Sequence, residues 1–418
     1  MPLRENDMKL TSIEKKWIWY DIGNSAFVLL MSTIVPIYFK GAIAGHMTES
    51  DSTAIYSYAL SLSTLLVAIL GPIFGTMADF KGYKKPLFAV FMGLGVASCA
   101  ALAYPSPVVL FLGLIVAAKV GLHGGNIFYD AMLVDVTDDE RMSRISTLGY
   151  AWGYIGSCIP FVVSLVLVLF NKQIGISMTL AMVIAFLLNA IWWLCCSLPL
   201  LFAYKQKHSM PRGKSPFIDS FKRLARIFSE MRTQPAIFVF LLAFFFYIDG
   251  VYTIIEMATV YGSDMGIGTT GLLGALLVTQ IVAFPSSIVF GRLSTKFSSL
   301  KLIPICIAAY TGIALFALGL DQVWEFYFLA ICVGLFQGGV QALSRSHFAS
   351  IIPKEKSAEY FGIYDIFGKG ATFTGTLLMG ASTQIFGTSK AGVAAIAVML
   401  ALGLGVFFIH SKVLKKAK

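Results

Sequence analysis

The chain has 418 residues, 57% of them hydrophobic and 13% charged, with a mean hydropathy of +0.78. A water-soluble chain of this length needs more polar residues to cover its surface, so a soluble enzyme is excluded. The formal net charge of +10 is a property of one membrane face, as its distribution below shows, and does not point to nucleic acid.

Apolar stretches of membrane-spanning length recur twelve times. In chain order they are Trp17–Phe39, Thr53–Ala78, Pro86–Tyr104, Val108–Val134, Ser143–Phe170, Ser177–Ala203, Ala236–Tyr261, Thr269–Phe290, Leu302–Leu320, Val323–Leu343, Tyr360–Phe386 and Ala391–His410. The first has a charged head, lacks a small-residue cleavage site and exceeds a signal-peptide core, so it is expected to be a retained span. When alternate loops are taken as cytoplasmic, starting with the N-terminus, they hold 27 of the 32 Lys and Arg. Lys84, Lys85 and Arg345 are among these 27; the opposite loops hold 3, and Lys119 and Lys369 fall inside spans. The asymmetry predicts both termini in the cytoplasm. All six cysteines lie in spans without CxxC or metal spacing, and are read as packing residues.

The longest polar segment separates spans six and seven. Within it Phe217, Phe221, Leu224 and Phe228 recur at helical spacing, with Lys222, Arg223 and Arg226 opposite. That pattern predicts an amphipathic helix on the membrane surface. Short stretches repeat across this segment: "WYDIGNSAF" is echoed by "FYIDGVYTI", and "GTMADFKGYKK" by "GRLSTKFSSLK". The expected architecture is therefore an all-α membrane protein of twelve helices in two six-helix bundles with pseudo-twofold symmetry. The bundles are expected at 1–203 and 236–418, joined by a cytoplasmic linker at 204–235.

A charge inside a span costs at least ~2.5 kcal/mol at its centre, so each one needs a partner, water or a task. Lys119, His123, Asn126 and Asp130 run at i, i+4, i+7 and i+11 along span four, which is one helical stripe. Asp365 and Lys369 share a face of span eleven. Asp249 and Glu256 lie in span seven, Gln337 and Gln341 in span ten. Asp21 and Asn24 sit near the start of span one and are read as gate groups. The acids Asp135, Asp138, Asp139 and Glu140 could suggest a metal site, but a solvated turn that caps span five and pairs with nearby lysines accounts for them.

"GTMADFKGYKK" resembles the loop signature of the major facilitator superfamily. The resemblance implies that Gly75, Asp79, Lys81, Lys84 and Lys85 latch two bundles together, with the lysines facing the cytoplasm. The copy at Gly291–Lys301 lacks the aspartate. "WYDIGNSAF", the stretch Asn126–Gly156 and the stretch Gly338–Ala371 resemble the autophagy-associated vacuolar amino-acid effluxers and their bacterial relatives. That implies a secondary transporter of an amino-acid-like solute, with spans one, four, seven and ten around a central cavity. Lys119 and Lys369 would then hold anionic groups, and Asp249 or Glu256 an ammonium or a coupling proton. A monomer in a bacterial plasma membrane, working without cofactor or metal and exporting by a proton-coupled or facilitative cycle, completes the expectation. The chain has no HExxH, GxSxG or phosphate loop. A scaffold, a receptor or a carrier of another solute class is the alternative.

Overall fold

The computed structural model describes residues 9–39, 43–47, 49–104, 106–211, 234–264, 267–320, 322–386 and 389–417. The amphipathic stretch expected at 217–228 lies outside them. Twelve long helices account for most of the described residues: α1 (Ser12–Tyr38), α2 (Glu49–Ala78), α3 (Lys84–Ala101), α4 (Val108–Ala131), α5 (Asp139–Leu169) and α6 (Met178–Ala203) in the first half, then α7 (Pro235–Asp264), α8 (Thr269–Leu293), α9 (Ser299–Ala317), α10 (Val323–Ile351), α11 (Ser357–Phe386) and α12 (Ser389–Ala417). Eleven are long and apolar enough to cross a membrane among the described residues. The twelfth, α11, carries Glu359, Asp365 and Lys369.

Local chemistry sets several starts. Thr11 caps α1 by accepting from Glu14 N (3.3 Å), and the Glu14 carboxylate accepts from Thr11 N (2.7 Å); together they satisfy two of the orphan donors of the first turn. Prolines at 36, 72, 160, 199, 285 and 304 lie inside helices, which membrane helices tolerate because neighbouring groups satisfy the freed backbone carbonyls. One turn on, Thr76 and Ser164 back-bond to the carbonyls of Pro72 and Pro160 at 2.8 and 2.7 Å, which keeps these hydroxyls satisfied within the apolar helix.

The packing repeats itself. In the first half α1 packs on α5 and α6, α4 on α2 and α3, and α6 on α3 and α5; the same pairs recur six helices later, α7 on α11 and α12, α10 on α8 and α9, α12 on α9 and α11. The contacts between halves repeat too: α2 with α11 and α8 with α5, α4 with α11 and α10 with α5. This is the pseudo-twofold arrangement the sequence echoes predict. One apolar cluster crosses between the halves, joining Trp17, Phe91 and Phe128 to Phe244, Phe348 and Phe361.

One boundary differs from expectation with consequences for function. Span ten was expected to end at Leu343, with Arg345 in a loop; α10 instead continues to Ile351. Hydropathy fades over Ser344–His347, but each of these side chains is buried and partnered. Ser344 bonds Tyr247, Ser346 meets Ser143, and His347 Nε2 stands 2.8 Å from His410 Nε2. No helix breaker comes before Pro353.

Candidate functional site

The interface between halves carries its charges in two layers. The outer layer is at the terminus-bearing face, where α2 meets α11. Gly75 brings them together: a methyl there would lie 2.5 Å from the Ala358 carbonyl oxygen. Four residues on, the Asp79 carboxylate accepts from Ala358 N and Glu359 N, both at 2.9 Å, and so caps the N-terminus of α11 from the other half. The positive end of the helix dipole favours a carboxylate there. Asp79 is fully buried, and burial pushes its carboxyl up to about 7 against the pull of Lys84 and the two N–H groups.

The lysines of this loop divide. Lys81 is exposed, and Lys85 donates to Phe202 O at 3.3 Å. Lys84 does not face the cytoplasm as the resemblance implied: its side chain is 0% exposed, 3.3 Å from Asp135 Oδ2, and it donates to Ser357 Oγ at 2.8 Å. A buried ammonium needs a counter-ion, and Asp135 supplies it. Asp135 is therefore buried rather than part of a solvated turn, whereas Asp138 does occupy the N-cap position of α5 and Asp139 pairs with Lys354 at 2.9 Å. Among the described residues no cluster of His, Cys, Asp and Glu could hold a metal ion.

The inner layer centres on Arg345 of α10, 3% exposed. Its Nη1 donates to Asp130 Oδ1 (3.0 Å), Nε to Ser146 Oγ (2.9 Å) and Nη2 to Ser146 O (3.0 Å), and Nη2 stands 3.8 Å from Asp21 Oδ2. The guanidinium lies 4.7 Å over the Trp17 ring and 4.4 Å over Tyr150, an arrangement in which the ring faces attract the cation. Sequence reading missed this residue, because two serines and a histidine around it imitate a loop. The signal that could have found it is the resumption of apolar residues at Phe348, Ala349, Ile351 and Ile352 before the first proline.

The α4 stripe is assembled as its spacing predicts. Asn126 Oδ1 accepts from Tyr20 OH (3.1 Å) and Asn24 Nδ2 (3.0 Å), which ties α1 to α4. Lys119, His123, Asn126 and Asp130 are all half-buried on one side of the helix, and Lys119 stands about 16 Å above Asp130 at the helical rise. Asp21 and Asn24 are buried beside the stripe's lower end. The second half is arranged differently. Asp249 is 0% exposed and accepts from Thr253 Oγ1 (3.2 Å) and Gly375 N (2.9 Å), so it holds α7 to α11. Gln337 and Gln341 are buried on α10, and Gln337 lines a mostly apolar cavity of about 110 Å³ inside the second half. Asp365 is half-buried on α11, which packs against α4. The side chains of Glu256 and Lys369 lie outside the described residues.

The chain matches the family described as "Vacuole effluxer Atg22 like" over residues 12–417. It is 41% identical to the uncharacterised MFS-type transporter YxiO of Bacillus subtilis, covering 95% of this chain and 94% of that one. It is 26% identical to autophagy-related protein 22-2 of Aspergillus clavatus over 64% of its own length, and spans about half of that longer protein (48%). Its fold matches the crystal structure of a major facilitator superfamily transporter, FucP, in the outward conformation, with a TM-score of 0.69, 14% identity and coverage of 96% and 97%. The relatives are named as transporters and effluxers, and the match follows the helical frame from its first described helix to its last: the chain belongs to the Atg22-like effluxer family and is a multi-pass membrane transporter of the major facilitator type.

Proposed function

We propose that this transporter moves a small amino-acid-like zwitterion across a bacterial plasma membrane by alternating access, as a monomer and in the direction of export. The observation that carries the reading is the half-buried stripe of Lys119, His123 and Asn126 on an otherwise apolar helix. A lysine at mid-membrane depth needs a partner, water or a task, and an ammonium with a neighbouring histidine and amide can receive a carboxylate. The family description, vacuole effluxer, supports the direction of export. The basic loops support a cytoplasmic placement of the terminus-bearing face. On that placement the two charged layers close the cytoplasmic side, and the solute site opens outward.

Asp249 is sealed between α7 and α11. Of the roles open to it, binding an ammonium or carrying a coupling proton, the enclosure favours the proton. Arg345, with Asp21 and Asp130, is read as the inner gate. A thermal-shift screen of the purified protein against amino acids and related zwitterions tests the reading. A stabilising ligand should be found, and Lys119→Ala should remove its shift while keeping the unliganded melting profile. An unchanged shift in Lys119→Ala overturns the assignment of the site.

A further inference from the structure

Residues 204–210, which follow α6, lie across the loop that carries Asp79. Tyr204, 2% exposed, donates its hydroxyl to Asp135 Oδ2. Lys207 N (3.2 Å) and His208 N (2.8 Å) donate to Asp135 Oδ1, and His208 Nδ1 stands 3.0 Å from the same oxygen. Gln206 reaches the loop with both ends of its amide: Nε2 donates to Ala78 O (3.1 Å) and Oε1 accepts from Gly82 N (3.0 Å). Gly82 has φ 85°, a left-handed turn that glycine adopts without strain. Beyond it Met210 N donates to Asp79 O (2.8 Å) and Lys81 N to Met210 O (3.1 Å), which pairs Phe80 with Met210 as a parallel bridge.

These bonds converge on two residues that hold α11. The backbone of Asp79 is gripped by Met210 while its side chain caps α11. Asp135 receives Lys207 and His208 on one oxygen and Tyr204 on the other, where it also takes Lys84, and Lys84 passes on to Ser357, the first residue of α11. Neither path needs any residue of the linker beyond 210. Two independent chains of hydrogen bonds therefore run from this short segment, across the first half, to the start of α11 in the second. A loop that needed only to connect the halves would need neither.

We propose that residues 204–210 are a strap that positions the gate: it aims the Asp79 carboxylate and the Lys84 ammonium at the N-terminus of α11, so that lifting the strap frees α11 from α2. Tyr204, Gln206 and His208 are positioning residues, whereas Asp79 and Lys84 make the contacts across the interface. The proposal rests on the reading of the α2–α11 contact as a gate. It makes the linker a lever as well as a tether.

The test is a spin-label distance measurement on the full chain in nanodiscs. Labels go at Pro86 and Glu355, both exposed and on opposite sides of this contact, with the six native cysteines replaced. Asp79→Ala, which removes the cap on Ala358 N and Glu359 N altogether, is the reference for an opened contact. The double variant Gln206→Ala/His208→Ala should raise the long-distance population at least threefold, toward the reference. Tyr204→Phe, which removes a single bond and keeps the ring, should raise it less. Lys205→Ala, exposed on the same segment, should leave it unchanged. If the strap variants lower the melting temperature but leave the distances as in the parent while Asp79→Ala shifts them, the segment is only structural and the strap is overturned. An equal shift from Lys205→Ala overturns it as well. If Asp79→Ala itself moves nothing, the gate reading fails, and the strap with it.

Discussion

The contacts α2–α11 and α8–α5 are copies of one another in the packing, yet they are held by different chemistry. At the first, Gly75 meets backbone, Asp79 caps a helix across the interface, and Lys84 is buried against Asp135. At the second, Gly291 meets the Thr147 hydroxyl, and Ser143 shares hydroxyl contacts with Ser299 and Ser346 at 3.3 and 3.0 Å. Thr295 stands where Asp79 would fall, and its hydroxyl turns back to Arg292 O. The duplicated frame fixes where helices meet; what is buried there decides whether the meeting is sensitive to charge. Neutral hydroxyls slide past one another at little cost, while a buried carboxylate is either capped or stranded. The first contact thus suits a switch and the second a bearing.

The largest effect is expected from Lys84→Met, which strands Asp135 and Asp79 without their cation. It should cost about 3–5 kcal/mol in denaturant or thermal unfolding of the detergent-solubilised protein. Ser143→Ala at the neutral contact should cost about 1 kcal/mol or less. Equal costs would erase the distinction between the two contacts.

A matched pair of glycine substitutions sharpens it. Gly75→Ala presses on the Ala358 carbonyl, which cannot move without its helix, whereas Gly291→Ala presses on a Thr147 hydroxyl that can rotate. The first should cost about 1–3 kcal/mol and the second less than about 1 kcal/mol, by the same unfolding measurement.

A further effect is a pH dependence of the charged contact. Burial raises the Asp79 carboxyl to about 7 in the closed form, against about 4 for an exposed aspartate. The closed form therefore holds a proton more tightly than the open one. Closure is most favoured below about pH 4, weakens as pH rises to about 7, and is level above that. The distance between labels at Pro86 and Glu355 should follow this course in the parent chain. In Asp79→Asn it should be flat over the same range.

Much of the fold was legible because bilayer thickness imposes a length on every span, and the loop charges impose an alternation. The α4 stripe was legible for a related reason: Lys119, His123, Asn126 and Asp130 are conspicuous in an apolar run, and helical periodicity alone puts them on one side. Arg345 and Lys84 were not legible. Both lie where apolar sequence gives way to polar, and hydropathy cannot tell a charge in water from a charge buried against a partner 215 or 51 residues away. Asp249 was legible as a buried charge but not as a helix tie, since its partner is a backbone N–H of Gly375, which every residue but proline possesses.

The pairing of Asp130 with Arg345 has a consequence for assembly. Asp130 lies 22 residues after Val108, the first of α4, and Arg345 lies 22 residues after Val323, the first of α10. The two occupy equivalent positions in the two halves and touch each other, so they sit on the pseudo-twofold axis. Any residue on such an axis would meet its own copy in a true homodimer of either half. Two first halves would set aspartate against aspartate, and two second halves arginine against arginine; only the unlike combination neutralises both. A single ion pair on the axis thus encodes partner choice, and a duplicated fold that could have joined like to like is committed to joining its two different halves.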